Sequence, residues 1–298
     1  FDGSKDMTDV FEWTVENMPK DMRTTAIDKS SGIHEGQARE KMCVIDTVAY
    51  TGCIPGNEYT VTGTLMDKAT GEKALDSQGK EITASATFKA EDFTGTVEIE
   101  FTFDGAGLAG HDVVAFETMT HEGKEYMVHA DISDEGQTVD VIDIHTTATN
   151  PDTGDNLGST AEELELTDTV AYQNLNPGRT YKLVTTLYDS VNGKEILDAD
   201  GNVVSAETEF APEAEDGTVD VPMTVETEGV AGHTLVFFER LMDSEGNTVA
   251  THSDASDEGQ SVHFAGIHTN AVDADDGDKN VVADGTTQVT DTVTYENL

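Results

Sequence analysis

The chain has 298 residues, with 60 Asp+Glu against 16 Lys+Arg and a formal net charge of −44. That charge excludes nucleic acid and anionic membrane surfaces as partners, because both would repel it. No apolar run approaches the roughly 20 residues of a membrane span, and the opening "FDGSKDMTDV" is not a signal peptide, so any targeting or anchoring sequence is expected outside this chain.

Residues 1–20 match nothing that follows and read as a leader or linker. From there the chain repeats. "IDTVAYTGCIPGNEYTVTGTLMD" (45–67) matches "TDTVAYQNLNPGRTYKLVTTLYD" (167–189), and "GLAGHDVVAFETM" (107–119) matches "GVAGHTLVFFERL" (229–241). The offset is 122 at Asp46/Asp168 and Glu117/Glu239, and 123 at His129/His252 and Gln137/Gln260. "GIHTNAVDADDGD" and the closing "TDTVTYENL" start a third copy. The domains are therefore read as 21–142 and 143–265, two full modules, with 266–298 the incomplete start of another.

Within a module the predicted elements are short alternating strands. "VIDTVAY" is the first clear one, with Cys43 and Cys53 at its two ends. At about 3.3 Å per residue these thiols are too far apart for a disulfide, so both are expected free. Turn signals follow in chain order: "PGNE", "DKATGEK", "DSQGKE", "FDGAG" and "HEGKE". Helical periodicity is almost absent. The expected fold class is all-β, a two-sheet sandwich of roughly 120 residues repeated head to tail.

Strand parity then puts polar residues on apolar faces. Asp168 shares a face with Leu166, Val170 and Tyr172, as Asp46 does with Val44, Val48 and Tyr50. Glu239 goes with Leu235, Phe237 and Leu241, and Glu117 with Val113, Ala115 and Met119. Gln260 is in phase with Val262 and Phe264, Gln137 with Val139 and Val141, and Thr146 with Ile142, Ile144 and Ala148. One buried amide or hydroxyl is ordinary. Two buried acids and an amide in one module, repeated in the next, cost several kcal/mol unless they satisfy one another. Two carboxyls in one dry site cannot both ionise, so one is expected to keep its proton.

"VVAFE" and "LVFFE", with "DTVAY" upstream and "HADISDEGQ" or "HSDASDEGQ" downstream, resemble the VaFE-type repeats of Gram-positive surface adhesins. That resemblance implies Ig-like stalk modules, each closed by an intramolecular Thr–Gln ester. In such modules a first-strand threonine attacks a last-strand glutamine amide, ammonia leaves, and a buried Asp, a buried Glu and a His assist. Carried over, the set in module one is Thr24, Asp46, Glu117, His129 and Gln137, with a Thr24–Gln137 cross-link. In module two it is Thr146, Asp168, Glu239, His252 and Gln260, with a Thr146–Gln260 cross-link. Thr25 and Thr147 are the alternative nucleophiles. The histidine is assigned as proton shuttle and the acid pair as electrophile and orienter, with the protonated member left open.

The resemblance further implies single-turnover self-modification without cofactor or metal, in an extracellular, cell-wall-anchored, monomeric stalk. Any host ligand would be bound by sequence outside this chain. The third copy offers Thr269 and Asp291 without Glu, His or Gln, and is expected either to be poorly ordered or to be the remnant of a longer array. Rival readings are a Thr/His/Asp hydrolase, a ligand-binding adhesin module without a cross-link, and calcium at acidic turns such as "DADDGD" and "DADGN". A Lys–Asn isopeptide bond lacks a lysine at a matching core position in both modules.

Overall fold

The computed structural model describes residues 19–161, 163–281 and 285–297, so all but the last two residues of the expected leader lie outside it. The chain divides into two compact units. One runs through Asp143 and takes in Gln173–Asn176 and Asn247–Ala250; the other comprises Ile144–Tyr172, Pro177–Gly246 and Thr251–Leu298.

In module one the strands are β1 (Asp21–Asp28), β2 (Glu35–Gln37), β3 (Met42–Thr51), β4 (Glu58–Asp67) and β5 (Thr83–Lys89). They are followed by β6 (Thr94–Phe103), β7 (His111–His121), β8 (Lys124–His129) and β9 (Thr138–Thr149). One sheet has the order β1-β3-β6; the other has β5-β4-β7-β9, with β8 paired to β7 and β2 to β9. β9 runs unbroken through residue 142, where the module boundary was expected. Its first part ends module one and its last part opens module two.

Module two repeats the plan with β10 (Leu157–Gly158), β11 (Leu164–Gln173), β12 (Tyr181–Asp189), β13 (Lys194–Glu195) and β14 (Ser205–Phe210). Then come β15 (Gly217–Val225), β16 (Thr234–Asp243), β17 (Thr248–His252) and β18 (Ser261–Phe264). β9-β11-β15 forms one layer. The other has the order β10-β18-β16-β12-β13, with β14 on β12 and β17 on β16. Among the described residues the only helical elements are three-residue 3₁₀ turns, Ala106–Leu108, Glu135–Gln137 and Glu258–Gln260.

The alternation read from sequence is the alternation of burial. In β3, Met42, Val44, Asp46, Val48 and Tyr50 face inward while the residues between them are half-buried or exposed. After β4 the chain reverses on Asp67, whose Oδ1 accepts from the Thr70 amide at 2.9 Å, and Gly71 then adopts φ 72°. That left-handed conformation is nearly free for glycine and strained for other residues. Asp189 and Gly193 (φ 68°) repeat the turn.

The core of module one is two apolar clusters that join both sheets. One contains Ala26, Val44, Phe101, Ala115 and Val139; the other contains Met22, Val48, Tyr59, Val61 and Met119. Thr24, Asp46 and Glu117 are the inward residues that fall between members of the two clusters on β1, β3 and β7. The polar set therefore interrupts the core at its middle.

The third copy forms an antiparallel hairpin of β19 (Gly266–Asp273) and β20 (Val289–Glu296). Its register pairs Thr269 with Val293 and Ala271 with Asp291, as Thr24 pairs with Val48 and Ala26 with Asp46. These two strands keep the register of the first two long strands of a full module.

Candidate functional site: a buried Thr, Asp, Glu, His and Gln in each module

Thr24 and Asp46 lie diagonally on the inner face of β1 and β3, the diagonal across which side chains in neighbouring strands meet. Glu117 faces them from β7 in the opposite sheet, and its register partner on β8 is His129, the last residue of that strand. Gln137 is the last residue of the 3₁₀ turn ahead of β9 and not, as parity suggested, a strand residue. It is fully buried all the same, because the turn directs it inward under β7. Thr24 is 7% exposed, Asp46 and Gln137 0%, and Glu117 1%, so the reacting groups are shut off from water.

The Gln137 side-chain nitrogen donates to Thr24 Oγ1 at 2.7 Å, to the Ala115 carbonyl at 2.6 Å and to Glu117 Oε2 at 2.8 Å. A backbone carbonyl only accepts, so the atom facing Ala115 must be the nitrogen; this settles the orientation of the amide. In module two Gln260 Nε2 donates to the Phe237 carbonyl at 2.8 Å, to Glu239 Oε2 at 2.8 Å and to the His252 carbonyl at 3.3 Å. Thr146 is buried there too, but its hydroxyl has no hydrogen-bond partner. Thr25 and Thr147 point outward and are exposed, because they are out of phase with the inner face.

The acid pair is asymmetric. Burial, then the adjacent Asp46 charge, pushes the Glu117 carboxyl up to about 10; Glu239 is pushed up to about 10 by burial and Asp168. Burial also raises Asp46, and raises Asp168 to about 6. Burial raises both members of each pair, so each pair keeps one proton at neutral pH. Asp46 is hydrogen-bonded to the Glu117 side chain, to the Thr24 hydroxyl and to the Thr25 amide, and the proton shared by the acid pair joins the two carboxyls. Gln137 Oε1 and His129 Nδ1 are buried without a partner. Native interiors rarely leave several such groups in one place, and reactive sites are where they collect.

Glu117 lies against the leaving nitrogen and not the carbonyl oxygen of Gln137. This differs from the role of carbonyl electrophile expected for the acid pair. The modules also differ from each other: Gly63 is opposite Glu117, whereas the buried Thr185 is opposite Glu239. The His145 ring meets His252 edge-on at 5.6 Å, at the position where module one carries Arg23.

One contact was missed in the sequence. His129 Nε2 is 3.2 Å from Asp134 Oδ2, and His252 Nε2 is 3.2 Å from Asp257 Oδ2. The signal was present as the repeated "DEGQ", but an aspartate before a glycine reads as an ordinary turn residue. The third copy brings only Thr269 and Asp291 onto neighbouring strands. Among the described residues no group of three or more His, Cys, Asp or Glu is placed to hold a metal ion. In "DADGN" the Asp198 carboxylate is already engaged by the amides of Asp200 and Asn202.

The family model for the T-Q ester bond containing domain matches residues 20–141, 142–264 and 265–298. Similar solved structures include a bacterial adhesin from Mobiluncus mulieris containing intramolecular disulfide, isopeptide and ester bond cross-links. It is 15% identical over 94% of this chain and 99% of that one, with a TM-score of 0.36. The C-terminal domain of the antigen I/II-family protein AspA of Streptococcus pyogenes is 13% identical over 78% and 99%, with a TM-score of 0.32. The corresponding domain of the Streptococcus agalactiae AgI/II polypeptide BspA is 12% identical over 78% and 98%, with a TM-score of 0.31. No curated protein sequence matches the chain. With the family model covering the chain from residue 20 to its last residue, in three consecutive copies, this protein belongs to the family of T-Q ester bond containing domains.

Proposed function

We propose that each full module closes itself with one ester, Thr24 to Gln137 in module one and Thr146 to Gln260 in module two. The observation that carries this is the buried Gln137 amide, held by its nitrogen between the Thr24 hydroxyl at 2.7 Å and the neutral Glu117 carboxyl at 2.8 Å. Such a geometry pre-orders nucleophile, electrophile and proton donor, removing most of the entropy of bringing them together.

Thr24 Oγ1 attacks Gln137 Cδ while its proton passes to His129, since a threonine hydroxyl needs a base at neutral pH. The C–N bond then breaks and the departing nitrogen takes the Glu117 proton. The His129 imidazolium returns a proton to Glu117, so the only product besides the ester is ammonia. Asp46 remains the charged partner that keeps the Glu117 proton in place. Each module reacts once, which is self-modification and not turnover.

The ester links β1 to the turn that feeds β9, the first and last elements of the module, and those are the strands that tension on the chain ends would draw apart. We read the array as an extracellular stalk of a surface adhesin. Tandem β modules, a charge of −44 that discourages self-association, and covalent closure without a disulfide support that reading. Proteolysis and tandem mass spectrometry test the assignment: branched peptides joining Thr24 to Gln137 and Thr146 to Gln260 are expected. Linear peptides carrying intact Gln137 and Gln260 would refute it.

A further inference from the structure

We infer that Thr185 is a positioning residue peculiar to module two: its hydroxyl holds the Glu239 carboxylate once the Glu239 proton has left with the ammonia. The inference rests on the reaction proposed above. Thr185 is the central inward residue of β12, between Leu183 and Leu187, and all three are fully buried. Its register partners are Ala206 on β14 and Glu239 on β16. Residues paired in this way share a face with their Cβ atoms about 5 Å apart, which brings a hydroxyl and a carboxyl within reach of each other. Among these inward neighbours Glu239 is the polar one. Its Oε2 is taken by the Gln260 side-chain nitrogen at 2.8 Å. The turn that carries Gln260 leads into β18 on one side of β16, and Thr185 stands on β12 at the other side. Asp168 faces Glu239 from β11 in the opposite layer, and His252 ends β17.

Thr185 Oγ1 is buried without a hydrogen-bond partner. A hydroxyl left so in a dry core costs stability, and valine would fill the same space without that cost. Packing accounts for the bulk alone. In module one the position is Gly63, where a Cβ would come within 2.5 Å of Phe101 Cζ and 3.2 Å of Ile99 Cδ1. Module two has Met223 and Val221 at those places, slimmer side chains that leave room for a branched residue. The methyl group answers that room; the hydroxyl does not. Its use comes when Glu239 turns from neutral to charged. Burial and the adjacent Asp168 both oppose a carboxylate at that point. A hydroxyl donating to it offsets that opposition, and hydrogen bonds to charged groups are the strong ones. No proton is transferred to or from Thr185, so the balance of the reaction is unchanged. Gly63 offers module one no such donor.

The test is Thr185→Val, which keeps the shape and removes the donor. In timed cell-free synthesis quenched in denaturant, intact mass should show module-two ester formation slowed by about 10–10²-fold. Module one, in the same chain, should react at the wild-type rate. Thr185→Ala should be slowed alike, and Thr185→Ser, which keeps the hydroxyl without the methyl, should recover most of the rate. Carboxyl ¹³C shifts of unreacted protein (Thr146→Val) give a second readout that packing would not move. At the pH where Glu239 is half ionised beside Thr185, adding Thr185→Val should leave Glu239 largely protonated. Wild-type rates in Thr185→Val or Thr185→Ala, a Thr185→Ser variant as slow as Thr185→Val, or an unmoved Glu239 ionisation would overturn the inference. Wild-type protein without an ester in module two would instead refute the functional reading, and the ¹³C titration would still judge the Thr185–Glu239 contact.

Discussion

Replacing Thr24 by valine removes the nucleophile while keeping the shape of the side chain. The Gln137 nitrogen has two hydrogens and retains two acceptors, the Ala115 carbonyl and Glu117 Oε2, so the substitution strands no donor. What it takes away is the closed loop, in which the linked residues are 113 apart. On the chain-entropy relation used for disulfides, a loop of that length is worth about 5 kcal/mol at 25 °C. For a module of this size that corresponds to a fall in melting temperature of roughly 15–25 °C. Calorimetry of Thr24→Val should show one transition displaced downward by that amount and a second, from module two, unmoved. Thr146→Val should displace the other. If intact mass shows the ester gone while the module melts within about 3 °C of wild type, a shift worth under ~1 kcal/mol, the stabilising role assigned to the cross-link is wrong.

Three further outcomes follow from the geometry. His129→Ala should slow ester formation in module one by about 10²–10⁴-fold and leave module two complete, as read by intact mass against time. Thr25→Ala and Thr147→Ala, both at outward positions, should leave both esters at full yield; loss of either would mean the wrong threonine has been named. In the unreacted Thr24→Val background the raised Glu117 carboxyl makes the folded state bind a proton that the unfolded chain releases above its ordinary value of 4.5. That contribution is complete below 4.5 and is lost as pH climbs toward about 10. The module-one melting temperature should fall steadily across that range, and adding Glu117→Gln should flatten the slope; an unchanged slope would mean that Glu117 is not the proton holder.

Much of the site was legible because a strand's period of two leaves no ambiguity about faces. Asp46, Glu117 and Thr146 were placed inward by their apolar neighbours alone, and the repeat made a coincidence in one module improbable in both. Gln137 was placed correctly for an incomplete reason: its burial comes from a 3₁₀ turn closed by Asp134, and turn geometry has no periodic signature in sequence. For the same reason Asp134 went unseen, since its importance lies in a contact to His129 that only the fold creates. The proton's location was illegible because Asp and Glu differ little in intrinsic acidity. What separates them is that burial and the Asp46 charge act together on Glu117, while hydrogen bonds from Glu117 and Thr24 offset the effect of burial on Asp46. The boundary placed at 142 came from the repeat offset alone, because a strand that continues from one module into the next offers no turn residues to mark it.

The central claim is that two amides have been consumed in making two esters. The intact mass of the purified, denatured wild-type protein tests it most directly. The account predicts a mass two ammonia molecules below that of the sequence, one in Thr24→Val or Thr146→Val and none in the double variant. A wild-type mass equal to the sequence mass would contradict it.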